Sequence, residues 1–179
     1  MSKNKNFLFK IVLTSILVAL NVIMERFLSY SVWNMSIGFS FITVAFAAVF
    51  LGVPYAVLVG TLGDIIGAIL FPFGAYFVGF TLTNALMAFI TAIFLYKNAN
   101  LLKISLSVFV NKTVCTLLLN SIWIAILYKG GIDTTFAVML TRVPTAIGTF
   151  VVEVIVLYLL FSQKSKFRAV ISKTMEKLG

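Results

Sequence analysis

Apolar residues recur along this chain in long stretches that short polar or Gly/Pro-containing breaks separate. A helix that crosses the ~30 Å hydrocarbon core of a membrane needs ~20 predominantly apolar residues. Six stretches approach this length, at residues 7–27, 39–52, 55–71, 80–96, 101–128 and 137–161. The second is short and ends at the turn Gly52-Val53-Pro54. The pattern predicts an all-α integral membrane protein with six transmembrane helices, forming one domain over residues 1–179.

The composition agrees with this prediction. Hydrophobic residues make up 61% and charged residues 11% of the 179 residues, where a soluble domain carries about 45–50% and about 25%. The chain has no histidine and one cysteine, Cys115, which lies in an apolar stretch. We therefore expect no metal site, no disulfide and no cofactor, and we interpret Cys115 as a small packing residue.

The net charge of +9 predicts orientation in a membrane, not nucleic-acid binding. Most basic residues lie in the N-terminal tail, the loop after the fourth stretch and the C-terminal tail, where they flank apolar stretches. This is typical of proteins that face anionic lipid headgroups, and the positive-inside rule puts both termini in the cytoplasm. The N-terminus also resembles a signal peptide, but no small-residue cleavage site precedes the polar pair Glu25-Arg26, so we interpret it as a retained helix.

Three ionisable residues lie deep in the apolar stretches. Asp64, Lys112 and Glu153 are ~12–16 Å from the cytoplasmic ends of their helices, at ~1.5 Å per residue. An ionisable side chain in the bilayer costs at least ~2.5–3.5 kcal/mol, so each needs a partner, a water-filled cavity or a ligand. At this common depth the three residues are candidates for a structural charge cluster.

Two arginines lie nearer the outside, Arg26 at the end of the first helix and Arg142 about one turn into the sixth. A guanidinium can hold a carboxylate through two parallel hydrogen bonds, so the pair suits an outward-facing cup for an anion. In the alternative interpretation Arg26 pairs with Glu25, and Arg142 extends to the lipid headgroups.

The outer connectors are rich in aromatic residues. The first, around 29–36, contains Trp33, and the second, 71–79, contains Tyr76 and Phe77. Such residues are typical of the interfacial aromatic belt or of a lid that closes over a flat ligand. Both interpretations stay open.

Polar and small residues inside the helices also have two interpretations each. Thr81, Asn84 and Asn120 suit interhelical hydrogen bonds or, as donors and acceptors, a ligand site. Small residues recur at helical spacing in Ser15 and Ala19 and along 56–67. Such faces let helices approach closely, within one chain or against another membrane subunit.

The segment 63–82 contains Phe-Pro-x-Gly-x-Tyr-Phe-x-Gly-Phe-Thr-Leu and resembles the folate-family S components of energy-coupling-factor (ECF) vitamin transporters. The sequences at 26–29, 38–41 and 142–144 also resemble this family. The resemblance implies a six-helix S-component fold in the bacterial cell membrane, with a vitamin site open to the outside. It also implies two kinds of partner, a membrane-embedded coupling subunit and two cytoplasmic ATPases. The chain lacks a Gly-x-x-x-x-Gly-Lys-Ser/Thr loop, as expected of a binding subunit that is not an enzyme.

Under this resemblance the substrate is folate, and the expected binding residues lie towards the outer ends of helices and in the outer connectors: Arg26, Trp33, Asp64, Tyr76, Phe77, Thr81, Asn84, Asn120 and Arg142. The three aromatic residues are expected to cover the rings, and the two arginines to face the carboxylate end. Asp64 or Asn84 is expected to hydrogen-bond the pterin edge. S components generally dock the coupling subunit through an Ala-x-x-x-Ala face on the first helix, which Ser15 and Ala19 match with one conservative departure.

Two alternatives stay open. An S component for another vitamin, such as riboflavin or thiamine, would share the fold, although two outer arginines argue against cationic thiamine. A self-sufficient carrier or channel would use Asp64, Lys112 and Glu153 as a relay, but the internal repeats common among such carriers are not evident in the sequence.

Overall fold

The computed structural model describes residues 3–32, 35–72, 76–127 and 132–163, together with 165, 167, 169–171 and 173. The elements are α1 (Lys3–Arg26), β1 (Tyr30–Val32), β2 (Met35–Ile37), α2 (Ser40–Phe50), α3 (Val53–Leu70), α4 (Val78–Leu95), α5 (Leu101–Val110), a π-helical segment (Asn111–Leu119), α6 (Asn120–Leu127) and α7 (Ile132–Ser162). The elements from α5 to α6 follow one another without a break and form one span, Leu101–Leu127.

The predicted all-α membrane fold is confirmed, and most helix boundaries agree with the predicted stretches to within a few residues. Five helices in the described part of the chain are long and apolar enough to cross a membrane: Phe7–Arg26, Val53–Leu70, Val78–Leu95, Leu101–Leu127 and Thr134–Ser162. The second stretch forms only the 11-residue α2, which rises ~16 Å, about half the thickness of the hydrocarbon core. The orientation of the termini stays a prediction.

Two details differ from the sequence analysis. A short antiparallel hairpin, in which Tyr30 of β1 lies opposite Ile37 of β2, occupies the connector before α2. In addition, α7 begins at Ile132, about five residues before the predicted start. The polar residues at 133–135 read as a loop in a hydropathy pattern, although polar and acidic residues are favourable in the first turn of a helix.

Helices α3 and α4 lie at the centre of the bundle, where α3 packs on α1, α2 and α4. The small residues of α3 permit this packing. A Cβ at Gly60 would lie 3.0 Å from the Cβ of Ala88 on α4, and a Cβ at Gly63 would collide with the side-chain oxygen of Asn21 on α1. Asn21 also joins α1 to α2, because its Nδ2 donates to the Thr43 hydroxyl at 2.7 Å. The small-residue face of α3 thus packs within the chain.

Helix α7 lies at the periphery. Within the apolar part of its span, 11% of the residues are buried, compared with 39% for α4. Its inner side is a stripe of buried or half-buried residues spaced three or four apart: Arg142, Ala146, Phe150, Glu153, Leu157 and Phe161. Beyond α7, the ring of Phe167 lies 5.7 Å from that of Phe46 and 6.2 Å from that of Phe50. The segment after α7 therefore covers the C-terminal part of the short helix α2.

Candidate functional site

Arg26 and Asp64 form an ion pair between the end of α1 and the middle of α3. Nη2 of Arg26 lies 3.8 Å from Oδ1 of Asp64, and the two side chains are only 10% and 8% exposed. Gly67, about one turn after Asp64, provides the space for the guanidinium, since a Cβ there would lie 2.7 Å from Nε of Arg26. Arg26 therefore turns into the bundle.

Thr81, in the first turn of α4, connects this ion pair to the second outer connector. Its hydroxyl donates a hydrogen bond to Oδ2 of Asp64 and lies 2.8 Å from the hydroxyl of Tyr76. Because the proton of Thr81 is used on Asp64, the phenol of Tyr76 is the donor in the second bond. Tyr76, Thr81, Asp64 and Arg26, all predicted site residues, thus form one polar chain from the connector to α1.

Phe77 packs into the bundle against Trp123, a residue that the sequence analysis missed. The two ring centroids are 5.8 Å apart, and Nε1 of Trp123 donates to the hydroxyl of Thr83 at 2.9 Å. Gly79 lies against both rings, because a Cβ there would be 2.7 Å from Cδ2 of Trp123 and in collision with Phe77. The spacing of Trp123 three residues after Asn120 places both on one side of a helix, a signal that could have identified Trp123.

Arg142 contacts the π-helical segment. The backbone N–H of Asn120 donates to the carbonyl of Cys115, five residues earlier, whereas α-helical bonding uses a spacing of four. A change from the wider to the narrower spacing leaves one carbonyl out of the helical ladder. Nη1 of Arg142 donates to the next carbonyl, that of Thr116, at 3.3 Å. Arg142 therefore points towards the fifth span, and the alternative in which it extends to the headgroups does not describe it.

The other predicted residues are placed as follows. Asn84 is half-buried on α4, and its backbone carbonyl faces Gly60 of α3. Asn120 is half-buried at the start of α6, and its Oδ1 is buried without a hydrogen-bond partner in the described part of the chain. Trp33 lies outside the described residues.

The proposed cluster of Asp64, Lys112 and Glu153 is divided between two ion pairs, so that prediction was wrong. Nζ of Lys112 lies 2.6 Å from Oε1 of Glu153, while Asp64 pairs with Arg26. The reason is that the long side chain of Arg26 reaches Asp64 across Gly67, whereas Lys112 and Glu153 lie on the fifth span and α7. The division separates the residues that the carrier alternative requires as one relay. Among the described residues, no group of three or more acidic, cysteine or histidine side chains could hold a metal ion.

Ser15 and Ala19 are exposed on α1. They line a groove of about 350 Å³ between α1 and α3, together with Thr14, Val18, Val22, Leu62 and Ile66. The wall of the groove is mainly apolar. Within the part of the chain that the structure describes, this small-residue face stays exposed, unlike that of α3.

Comparison with known proteins identifies relatives of the whole helical region. The family profile described as "ECF-type riboflavin transporter, S component" matches residues 5–166. The chain is 34% identical over 143 residues to the folate transporter FolT of Clostridium novyi (strain NT), covering 79% of this chain and 81% of the relative. It is 29% identical over 171 residues to FolT of Leuconostoc mesenteroides, covering 93% and 89%. A crystal structure of FolT bound with folic acid matches with a TM-score of 0.78 and 28% identity, covering 86% of this chain and 92% of that one.

Proposed function

Since the chain belongs to the S components of ECF-type transporters, multi-pass proteins of the cell membrane that bind a substrate for transport and are not enzymes, we propose that it is the folate-binding subunit of an ATP-driven vitamin importer. Two relatives carry the name folate transporter, and the similar crystal structure contains folic acid. The family profile is named for riboflavin, so the choice between the two vitamins depends on the site.

The observation that favours folate over riboflavin as the substrate is the presence of two inward-turned arginines, Arg26 and Arg142. Folate ends in a glutamate with two carboxylates, whereas riboflavin has no charged group at neutral pH. A guanidinium can hold a carboxylate through two parallel hydrogen bonds, so two inward-turned arginines suit an anionic substrate. A guanidinium has five N–H donors, which allows Arg26 to contact Asp64 and a ligand carboxylate at the same time.

The remaining residues suit the ring systems of folate. The amide of Asn84 can accept from the amidine-like edge of the pterin, whereas Asp64, whose carboxylate lies 3.8 Å from Arg26, belongs to the carboxylate end of the ligand in this proposal. Tyr76, Phe77 and Trp33 provide aromatic faces for the flat rings, and Trp123 extends the aromatic surface around Phe77. The polar chain has a second role in this proposal, because its bond from Tyr76 to Thr81 ties the outer connector to the residues that hold the ligand.

Transport requires partners in addition to binding. We assign the groove at Ser15 and Ala19 to a membrane-embedded coupling subunit, because small residues on an exposed helix face let a partner helix approach closely. Two cytoplasmic ATPases would supply the energy, since the chain itself has no phosphate-binding loop.

The proposal is tested by folate binding to purified Arg26→Ala and Arg142→Ala proteins, measured by calorimetry. Each change removes hydrogen bonds to a charged group, worth about 1.5–3 kcal/mol, so we expect the affinity to fall about 10- to 150-fold. Lys103→Ala, which removes an exposed cation on α5, is the matched control and should bind as the parent does. Unchanged affinity in both arginine variants would refute the role of the arginines in binding the anion.

A further inference from the structure

Two polar contacts join α7 to the π-helical segment of the fifth span. The first is the bond from Nη1 of Arg142 to the carbonyl of Thr116, 3.3 Å long. The second is the ion pair of Lys112 and Glu153, at 2.6 Å, whose side chains are 12% and 15% exposed. The proposed binding function uses Arg142 but leaves this ion pair without a role.

These residues are spaced so that both contacts join the same side of α7 to the same side of the fifth span. Arg142 and Glu153 are three turns apart on α7 and lie within about 20° of each other around its axis, at about 100° per residue. Their partners Thr116 and Lys112 lie about one turn apart on the π-helical segment. One side of α7 therefore meets one side of the fifth span at two heights.

Apolar packing alone constrains α7 weakly. Only 11% of the residues in the apolar part of its span are buried. The buried apolar residues of its inner stripe are Ala146, Leu157 and Phe161, and the two large ones lie at the end away from Arg142. An apolar stripe tolerates small rotations, because one aliphatic contact replaces another at little cost. An ion pair in a membrane does not, since separation leaves two charges without partners in a medium of low dielectric constant.

We propose that the Lys112–Glu153 ion pair positions Arg142 for the anionic end of the substrate, by fixing the rotation and height of α7 against the fifth span. A turn of α7 by one residue, about 100°, would move Glu153 away from Lys112 and Arg142 away from Thr116 together. Lys112 and Glu153 are thus positioning residues that act through Arg142. The inference rests on the proposed function, because it requires that Arg142 faces a ligand carboxylate.

The test compares two ligands that differ only in charge at the glutamate: folic acid, and its diamide, in which both carboxylates are neutral amides. The key variant is the double substitution Lys112→Met with Glu153→Leu, because an apolar pair usually replaces a buried ion pair without loss of folding. The charge-swapped protein, Lys112→Glu with Glu153→Lys, restores the attraction in the opposite sense. Asn111→Leu is the matched control, since it removes a 2.9 Å hydrogen bond from the same segment to Thr91 of α4 and changes none of the four residues in the two polar contacts to α7.

We expect the apolar double variant to bind folic acid about tenfold more weakly, a size usual for coupled residues, and to bind the diamide within about twofold of the parent. The charge-swapped protein should recover folic acid binding. In an Arg142→Gln background the apolar pair should have no further effect, because the group that it positions is gone. The Asn111→Leu control should change the affinity for the two ligands equally.

Equal losses for both ligands in the apolar double variant, or no loss for either, would overturn the inference. The Arg142→Gln variant distinguishes failure of this inference from failure of the proposed function. If Arg142→Gln reduces the preference for folic acid over the diamide while the apolar pair leaves it at the parent's value, only the positioning role is wrong. If Arg142→Gln leaves the preference at the parent's value, the role of Arg142 in binding the anion fails, and the positioning role fails with it.

Discussion

The close approach of Arg26 to Gly67 provides a way to displace a proposed binding group without removing it. A methyl group added at Gly67 would lie 2.7 Å from Nε of Arg26, 3.3 Å from Nη2 and 3.4 Å from Cζ. Atoms of this kind pack at roughly 3.5–4.0 Å, so the guanidinium has to move by about 0.8 Å or more. A shift of this size would also change the ion pair of Arg26 with Asp64, in which Nη2 and Oδ1 lie 3.8 Å apart.

The effect on folding should be small. The group displaced by Gly67→Ala is the end of a flexible side chain, and alanine is better than glycine in a helix by up to about 1 kcal/mol. The effect on binding should be larger, because a displaced guanidinium loses hydrogen bonds to a ligand carboxylate worth about 1.5–3 kcal/mol. We therefore expect folate affinity to fall about 10- to 150-fold in a protein with unchanged or slightly raised thermal stability.

The assay measures thermal unfolding and folate affinity on the same purified protein. Gly148→Ala is the matched control, since it makes the same exchange within a helix where nothing lies within 4 Å of the new methyl group. The control should bind folate normally. If Gly67→Ala also binds folate normally, the expectation that a displaced Arg26 weakens binding is wrong, and with it the assigned role of Arg26.

Three further variants test the docking groove and the packing of α2. Ala19→Leu should leave folate binding unchanged but reduce ATP-dependent uptake in vesicles that also contain the coupling subunit and ATPases. The reduction should be about 5- to 150-fold, because overpacking costs about 1–3 kcal/mol. The control, Ala137→Leu at an exposed position of α7, should retain uptake. Phe167→Ala removes two ring contacts to α2 and should lower stability in thermal unfolding by about 1–3 kcal/mol, whereas the exposed Phe109→Ala should lower it less. Asn21→Ala removes two hydrogen bonds to α2 and should cost about 1–3 kcal/mol by the same measurement; a smaller loss than in Phe109→Ala would contradict its role as a joint between helices.

The helices could be predicted because hydropathy reports directly on contact with lipid. The fourth stretch, for example, was predicted to end at residue 96, and α4 ends at Leu95. The sequence also singled out Arg26, Asp64 and Thr81, since each polar side chain in or near an apolar helix needs a partner, and Tyr76 as an aromatic residue of the outer connector. Their connection into one polar chain depends on how α1, α3 and α4 pack, which no periodicity encodes.

The features that were missed depend on three-dimensional contacts. Depth along each helix placed Asp64 at the level of Lys112 and Glu153, but depth says nothing about which helices are neighbours, so its pairing with Arg26 was not foreseen. The π-helical segment, Asn111–Leu119, has no distinctive composition, and its sequence is that of an ordinary amphipathic helix. Trp123 lies within the fifth apolar stretch, where only its packing on Phe77 distinguishes it.

The most direct test of the central claim is calorimetric titration of the purified chain, under identical conditions, with folic acid and with riboflavin, the vitamin for which the family profile is named. A membrane site that contains two inward-turned arginines should bind the dianionic vitamin with one-to-one stoichiometry and give no measurable heat with the uncharged one. Binding of riboflavin in preference to folic acid, or of neither, would contradict the account.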